Sequence, residues 1–122
     1  MLLDTHALLW WLHDAASLSD RARLAVSAAD QVFFSPVSIY EIEWKAARGR
    51  LGAYPKPTNL LALEAGFAEL PVRVEHAHQA ARMQGANQDP WDRLLTAQAM
   101  LEQMAIVTRD PLIAQFGVQT VW

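Results

Sequence analysis

The sequence contains no cysteine, and this absence excludes several kinds of site at once. Without thiols the protein has no disulfide bond, no zinc site with thiolate ligands and no cysteine nucleophile. The composition fits a reducing compartment, so we expect a cytoplasmic protein. With 122 residues, 52% of them hydrophobic, the chain is long enough for one core and too short for two. A single domain over residues 1–122 is therefore predicted.

The sequence also lacks an uninterrupted hydrophobic run long enough to span a membrane. The N-terminal stretch is strongly apolar, but Asp4 and His6 interrupt it. No basic segment precedes this stretch and no small-residue cleavage site follows it, as a signal peptide would require. We therefore expect neither a signal peptide nor a membrane partner.

Basic residues are few for a protein that binds nucleic acid. Ten Lys and Arg residues face 13 Asp and Glu residues, which gives a net charge of −3. Affinity for a polyanion comes mainly from Lys and Arg, so this balance counts against nucleic-acid binding. Divalent cations bound by clustered carboxylates would shift the charge to −1 with one ion or +1 with two. Such a site weakens the objection without removing it.

Short apolar segments alternate with helical patterns along the whole chain. Strands are predicted at residues 1–3, 31–34, 69–74, 105–108 and 118–121. Helices are predicted from residue 7 and at residues 20–29, 36–48, 59–67, 75–83, 90–104 and 111–116. The second predicted strand leads into a helix whose apolar stripe is Val37, Tyr40, Trp44 and Ala47, and residues 49–59 read as an extended loop. This alternation predicts an α/β fold, with a parallel sheet covered by helices on both faces.

Four acidic residues fall where such a fold gathers its ligands. Asp4 ends the first strand and Asp110 follows the fourth, and open α/β sheets bind ligands beyond the carboxyl ends of their strands. Asp92 lies in the first turn of one helix, and Glu41 lies in the second turn of another. Since both helices should start near the same edge of the sheet, we expect the four carboxylates to converge there.

A metal site is the chemistry that such a cluster suggests. Carboxylates that lie close together raise one another's pKa, so a protein that assembles them normally neutralises them with a cation. Oxygen ligands favour Mg²⁺ or Mn²⁺, and Mg²⁺ binds one or two carboxylates together with water and phosphate oxygens. The reaction indicated is hydrolysis of a phosphodiester bond.

Each of these acids also has an ordinary structural explanation. Asp4, Asp92 and Asp110 all lie at predicted helix N-termini, where a carboxylate caps the backbone or meets the positive end of the helix dipole. Glu41 has no such local reason, although solvated glutamates are common. For each residue alone the two explanations are of similar weight, and only their joint convergence favours a site.

Four segments of the sequence carry a family resemblance. They are LDTHALLW at residues 3–10, SPVSIYEI at 35–42, DPWDRLLTAQA at 89–99 and VTRD at 107–110. In this order they resemble the blocks of the PIN-domain family, and specifically the toxin ribonucleases of VapBC-type toxin–antitoxin pairs. The resemblance implies a PIN-like α/β/α sandwich, Mg²⁺ or Mn²⁺ as cofactor, RNA as substrate, a homodimer and inhibition by a cognate antitoxin protein.

The resemblance also carries site residues over to this chain. The family's four acids correspond to Asp4, Glu41, Asp92 and Asp110, and its Ser or Thr near the fourth acid corresponds to Thr108. Asp4 and Asp92 are expected to bind the metal directly. Asp110 would complete this site or a second one, and Glu41 would bind the metal or orient the attacking water.

Two features depart from the family pattern. Only three residues precede Asp4, where many members have more, so we expect a short first strand or a trimmed start. Many members carry a histidine just before the Asp-Pro-aromatic-Asp block, where this sequence has Asn87 and Gln88. Asp89, the first residue of that block, is not part of the acidic quartet.

Several further residues have two interpretations. Arg93 and Arg109 adjoin site acids, and each either grips RNA phosphates or pairs with a neighbouring carboxylate. His6 is interpreted as a supporting residue rather than a metal ligand. A loose basic cluster either stabilises a helix C-terminus or steers RNA, and its members are Lys45, Arg48, Arg50 and Lys56.

The tryptophans are abundant for so short a chain. Trp10, Trp11 and Trp44 are expected in the core or at a dimer contact, and a remaining groove would accept an amphipathic antitoxin segment.

Two other functions remain as alternatives. A catalytically silent PIN-type scaffold that only binds RNA or protein would have lost one or more of the acids, and here all four are present. A phosphatase with a strand-end aspartate would need a second aspartate two residues later, where this chain has His6. A receiver domain would place its acceptor aspartate in the middle of the chain.

Overall fold

The computed structural model describes residues 1–52 and 56–122, and within them it has five strands and seven helices. The strands are β1 Leu2–Leu3, β2 Phe33–Phe34, β3 Ala68–Glu69, β4 Ile106–Val107 and β5 Thr120–Val121. The helices are α1 Thr5–Leu12, α2 Asp20–Ala28, α3 Pro36–Ala47, α4 Thr58–Glu64, α5 Val74–Arg82, α6 Pro90–Leu101 and α7 Pro111–Ala114. Part of the predicted loop at 49–59, residues 53–55, lies outside the described residues.

The five strands form one sheet in the order β3-β2-β1-β4-β5, and every neighbouring pair is parallel. The chain runs outward from β1 through β2 to β3, and then returns to add β4 and β5 on the other side of β1. The strand order therefore reverses between β1 and β4. In open parallel sheets this reversal opens a crevice at the carboxyl ends of the strands, where ligands bind.

Helices cover both faces of the sheet, as the sequence predicts. In β1 and β4 the side chains alternate, so that Leu2 and Ile106 face one apolar cluster while Leu3 and Val107 face another. The first cluster includes residues of α6 and α7, and the second includes residues of α1, α2 and α4. The predicted α/β fold with a two-sided parallel sheet is confirmed. Nowhere in the described ranges is a helix both long and apolar enough to cross a membrane.

Most helices begin at the residues that the sequence marks as caps. Five of them have a side-chain oxygen that accepts a hydrogen bond from a backbone N–H of the first turn; the capping residues are Asp4, Ser19, Ser35, Asp89 and Asp110. The capping explanation of Asp4 and Asp110 is therefore correct. It does not exclude a second role, because each carboxylate uses Oδ1 for the cap.

Three predicted elements end three or more residues later than the elements in the structure. The strand expected at 69–74 is only Ala68–Glu69, since Pro71 has no N–H to continue the ladder and α5 already begins at Val74. The helix expected to reach residue 104 ends at Leu101, because Gln103 has a φ of 55°. The helix expected to reach residue 67 ends at Glu64.

The predicted apolar stripe of α3 is right at Val37 but wrong at Tyr40 and Ala47, which are exposed. Tyr40 is 59% exposed, and the buried residues of the helix are Val37, Ser38, Glu41 and Ile42. The helix is rotated so that Val37 packs on one core cluster and Ile42 on the other. This rotation turns Glu41 inward.

Candidate active site

One small polar pocket contains all four predicted acids. It has a volume of about 110 Å³ and is lined by Asp4, Thr5, His6, Glu41, Lys45, Asp89, Asp92 and Asp110. Asp4 directly follows β1, and Asp110 follows β4, so the pocket lies at the point where the strand order reverses. The expected convergence of the acids is thus present in the geometry, and Asp89 joins them.

Asp4 is a buried carboxylate held by its own helix. It is 7% exposed, and Oδ1 accepts a hydrogen bond of 2.7 Å from the Ala7 N–H. Burial raises the pKa of Asp4 above its usual range, and the charge of Glu41 acts in the same direction. Hydrogen bonds from the Thr108 hydroxyl and the Ala7 N–H, together with His6, oppose the rise. The carboxylate of Asp4 is therefore held in place, but its surroundings do not fully compensate its negative charge.

Glu41 is fixed through both of its carboxylate oxygens. It is 5% exposed; Thr5 Oγ1 lies 3.0 Å from Oε1 and donates to it, because a carboxylate can only accept. Lys45 Nζ lies 2.5 Å from Oε2, one turn further along α3. Thr5 Oγ1 is also 3.0 Å from Ser38 Oγ. These contacts hold Glu41 at the pocket and bring the ammonium group of Lys45 with it.

Asp92 is oriented by a buried asparagine. Its Oδ2 accepts a hydrogen bond of 3.0 Å from Asn87 Nδ2, while Asn87 Oδ1 accepts one of 2.9 Å from the Asp89 N–H. Burial raises the pKa of Asp92 to about 6, and the charges of Asp89, Asp110 and Glu41 act in the same direction. The hydrogen bond from Asn87 opposes the rise.

Thr108 connects the two strand-end acids. Its Oγ1 accepts a hydrogen bond of 3.0 Å from the Asp110 N–H, and its hydroxyl also bonds to the carboxylate of Asp4. Asp110 in turn caps α7 through a 2.8 Å bond from the Leu112 N–H. Thr108 is 2% exposed. The hydroxyl of Thr108 therefore orients both acids, and its predicted role in positioning the substrate stays a prediction.

The two glutamates of α3 lie in different environments. Glu43 is exposed and absent from the acid pocket; it lines another depression, beside Ile42, Ala46 and Lys56. Residues that are two positions apart in a helix point about 200° apart around its axis, so Glu41 and Glu43 cannot face the same site. Only Glu41 belongs to the acid cluster.

The two arginines that adjoin site acids also differ. Arg93 donates from Nε to Ala80 O at 3.0 Å, from Nη1 to Asn87 O at 2.8 Å, and from Nη2 to Met83 O. It therefore ties α6 to the last turns of α5 and to the segment that follows, while contact of Arg93 with RNA phosphates stays a prediction. Arg109 is exposed, and its guanidinium lies 4.5 Å from the ring centroid of Trp10 beside the acids.

A buried set of hydrogen bonds links α3 and α6, the two helices that carry Glu41 and Asp92. Ser35, the cap of α3, donates to Gln98 Oε1 on α6 at 2.6 Å. Gln98 Nε2 donates to Leu70 O, just after β3, at 2.9 Å. Because Glu41 is on α3 and Asp92 is on α6, this group helps to set the distance between them.

The donor set of the pocket fits a hydrated divalent cation. Within residues 1–52 and 56–122, no three His, Cys, Asp or Glu side chains are grouped so that together they could hold a metal ion. That Asp4 and Asp92 bind the metal directly, with Asp110 and Glu41 in further roles, stays a prediction. Mg²⁺ needs only one or two carboxylates and keeps several waters, and the desolvated oxygens of Asp4 and Asp92 match that requirement.

Sequence reasoning missed two residues of the site. Lys45 was placed in a basic cluster at the end of α3, yet it pairs with Glu41 in the pocket. The four-residue spacing between Glu41 and Lys45 is the signal in the sequence that favours this pair, because residues four apart are neighbours on a helix. Asn87 was noted only as a departure from the family pattern, and its position five residues before Asp92 carries no comparable signal.

Comparisons with known proteins agree with this architecture. Ribonuclease VapC22 of Mycobacterium tuberculosis (strain ATCC 25618 / H37Rv) is 30% identical over 112 residues, which cover 90% of this chain and 86% of that protein. FitAcB from Neisseria gonorrhoeae superposes with a TM-score of 0.66 at 21% identity, covering 98% of this chain and 94% of its own. VapBC2 from Rickettsia felis, bound to a DNA fragment from its promoter, gives 0.66 at 11% identity, with coverages of 98% and 95%.

A family profile described as the PIN domain matches residues 1–118. Because the two solved structures have low sequence identity to this chain, they support only the fold. The profile, however, spans nearly the whole chain and includes every acid of the pocket. The chain belongs to the PIN-domain family, as its four sequence segments predicted, and is similar to the VapC ribonucleases.

Proposed function

We propose that this protein is a divalent-metal-dependent ribonuclease that acts as the toxin of a toxin–antitoxin pair. The observation that carries the proposal is the convergence of Asp4, Glu41, Asp92 and Asp110 on one pocket where the strand order reverses. Its similarity to Ribonuclease VapC22 supports RNA as the substrate.

Asp4 and Asp92 are the proposed metal ligands. Both carboxylates have a raised pKa because of burial, so a cation relieves more unfavourable charge at these two residues than at an exposed acid. Oxygen donors select Mg²⁺ or Mn²⁺. When bound, such an ion supplies a water of lowered pKa and positive charge for the phosphate oxygens. Asp110, which is fixed by its cap and by Thr108, lines the same pocket and would complete the site through water bound to the ion.

Glu41 is the proposed residue that orients the attacking water. Its two oxygens are held by Thr5 and Lys45, so a water that donates to this carboxylate meets an acceptor of fixed position. The ammonium group of Lys45 lies in the same pocket and offsets negative charge that develops on a phosphate there. Asn87 and Thr108 are positioning residues for Asp92 and Asp4.

The partners of the protein belong to the same proposal. The solved structures with this fold include VapBC2 and a toxin–antitoxin complex from Klebsiella pneumoniae, which supports a cognate antitoxin as a partner. A homodimer is also proposed. Large apolar side chains are exposed on α3 and α4, among them Tyr40, Leu60 and Leu63, and a second chain would remove such surface from water.

A catalytically silent PIN-type scaffold is the second candidate. The observation in its favour is the ion pair of Lys45 with Glu41, which neutralises one acid of the pocket without a metal. Such a protein would bind RNA or a protein partner and cleave neither.

Cleavage of labelled RNA by the purified protein separates these candidates. A ribonuclease of the proposed kind cleaves in Mg²⁺ or Mn²⁺, stops in excess EDTA and resumes when Mg²⁺ is restored. Persistent cleavage in excess EDTA would contradict the metal mechanism. Binding of RNA without cleavage in either ion would favour the scaffold. Growth arrest on expression, relieved by Asp92→Asn or by the co-expressed antitoxin, tests the role as a toxin.

A further inference from the structure

A second cavity opens directly beside the acid pocket. It has a volume of about 370 Å³ and is lined by Asp4, His6, Trp10, Arg109, Asp110 and Pro111. Three of these residues, Asp4, His6 and Asp110, also line the acid pocket. The two spaces therefore share a wall, and a polymer whose phosphate occupies the acid pocket has this cavity as an adjoining space.

Flat side chains distinguish this cavity from the acid pocket. The guanidinium of Arg109 lies 4.5 Å from the ring centroid of Trp10. The rings of His6 and Trp10 have centroids 5.4 Å apart and an interplanar angle of 30°. Trp122 meets Trp10 edge-on at 5.6 Å and so supports its orientation. Planar guanidinium and aromatic groups are the surfaces on which proteins stack the bases of single-stranded RNA.

We propose that this cavity binds the nucleotide next to the scissile phosphate, with its base stacked against the planar side chains of Arg109, Trp10 and His6. The proposal rests on the proposed ribonuclease function. The cavity volume is at the lower end of the range for small-ligand sites, which suits one nucleotide. Arg109 also places a positive charge beside two acids of the site, where an RNA backbone needs one.

A second arginine–tryptophan stack in the same molecule provides a matched control. On the segment after α3, Arg50 lies 5.3 Å from the ring centroid of Trp44. Like Arg109 it is exposed, but neither Arg50 nor Trp44 lines the acid pocket or the adjoining cavity. Arg50→Ala and Arg109→Ala each remove one positive charge beside a tryptophan, so Arg50→Ala controls for the general loss of charge. Trp44 keeps a second arginine in this control, because the guanidinium of Arg48 lies 3.8 Å from its ring centroid.

The test is a scan of one RNA oligonucleotide in which each nucleotide in turn is replaced by an abasic one. For the unaltered protein, kcat/KM should fall by about tenfold at one position adjoining the cleaved bond, which is the scale of losing one base stack. In Arg109→Ala this loss should largely disappear, whereas in Arg50→Ala it should remain. Trp10→Leu is a second variant for the same cavity. Because each enzyme is compared with itself, a partly misfolded variant does not imitate the result.

Binding of the same oligonucleotides by fluorescence anisotropy separates the two proposals. If the protein binds RNA without cleaving it, the ribonuclease proposal fails, and an abasic position whose effect depends on Arg109 still supports the cavity. If cleavage occurs but no adjoining abasic position matters, or if Arg109→Ala retains the full loss, the cavity does not hold a base. If the protein neither binds nor cleaves RNA, both proposals are wrong.

Discussion

Two groups of ionisable side chains in this protein, each with at least one buried member, are built in opposite ways. Between α5 and the end of α6, His76 is fully buried, and each of its ring nitrogens has a partner. Nδ1 accepts a 2.9 Å hydrogen bond from the Arg73 N–H, and Nε2 lies 3.0 Å from Glu102 Oε1. Since Nδ1 accepts, Nε2 carries the proton and donates to Glu102. The Arg73 side chain also pairs with Glu102.

The acid pocket also contains acidic and basic side chains, but acidic ones predominate. Around Asp4 and Asp92 the neighbouring charges are mostly negative, and both carboxyl groups have a raised pKa because of burial. Lys45 forms an ion pair with Glu41, and the charge of His6 acts on Asp4, whereas the neighbouring charges that act on Asp92 are negative.

The difference separates packing from function. The His76 group brings opposite charges and matched donors together, as a structural polar group must when it is buried. The acid pocket keeps several carboxylates where they destabilise one another, and such perturbed groups cluster at functional sites. Removing a residue from the first group should therefore change stability, and removing one from the second should change activity.

The largest expected effect is on the activity of Asp92→Asn. The substitution keeps the shape and the hydrogen bond from Asn87 but removes a proposed metal ligand, so RNA cleavage in Mg²⁺ should fall by roughly 10²–10³-fold. Single-turnover cleavage measures it. Asp89→Asn, at the cap of α6 in the same pocket, is the matched comparison and should cost clearly less. Equal losses would mean that the pocket acts through its total charge rather than through particular ligands.

The next effect concerns Glu41→Gln, which removes the charge that Thr5 and Lys45 hold in place. Cleavage should slow by about 10²-fold, a typical scale for one well-placed electrostatic group. Glu43→Gln, on the exposed side of the same helix, should leave the rate nearly unchanged. The prediction is contradicted if the two variants cleave RNA at the same rate.

The positions of the acids were predictable because regular structure fixes them. A parallel sheet brings the carboxyl ends of neighbouring strands to one edge, which places Asp4 beside Asp110. Capping chemistry likewise places Asp89 and Asp92 at the start of α6. Local sequence specifies both relations, and so the fold and the acid pocket followed from it.

The remaining features depend on tertiary paths that local sequence does not encode. Arg93 binds backbone carbonyls of the segment between α5 and α6, whose course is set by packing on α6. The rotation of α3 follows from two core clusters that it contacts at once, so an apolar residue, Tyr40, is exposed while Glu41 is buried. Periodicity alone favours the opposite arrangement.

A smaller effect is expected from His76→Leu, which should change stability and leave the reaction unaltered. The variant loses two hydrogen bonds of a fully buried ring, and the free energy of unfolding should fall by about 1–3 kcal/mol. Urea unfolding measures this. His78→Leu, exposed on the same helix, should stay within about 0.5 kcal/mol of the unaltered protein. If the folded fraction of His76→Leu cleaves RNA more slowly than the unaltered protein, the prediction is wrong and the His76 group contributes to activity.

The smallest expected effect is a gain in stability of the metal-free protein when Asp92 is replaced by Asn. In the folded chain the pKa of Asp92 is raised to about 6, above the ordinary value of 3.8 that it has when unfolded. The folded state therefore binds this proton more tightly, so the ionised carboxylate destabilises it at neutral pH. The penalty shrinks as the pH falls from about 6 towards 4.

In EDTA at pH 7.5, Asp92→Asn should therefore unfold at a Tm a few degrees above that of the unaltered protein. The gain stays small because Asp92 is only partly buried, so that solvent screens its charge, and because the lost charge also interacted favourably with the N-terminus of α6, by about 0.3–1 kcal/mol. Near pH 4 the difference should vanish, and Mg²⁺ at pH 7.5 should raise the Tm of the unaltered protein alone, since a cation that binds only the folded state stabilises it. Asp20→Asn, outside the pocket, controls for a general loss of negative charge. If the Tm of Asp92→Asn at pH 7.5 is at or below that of the unaltered protein, the ionised carboxylate of Asp92 does not destabilise the folded state, and a metal has no such cost to remove.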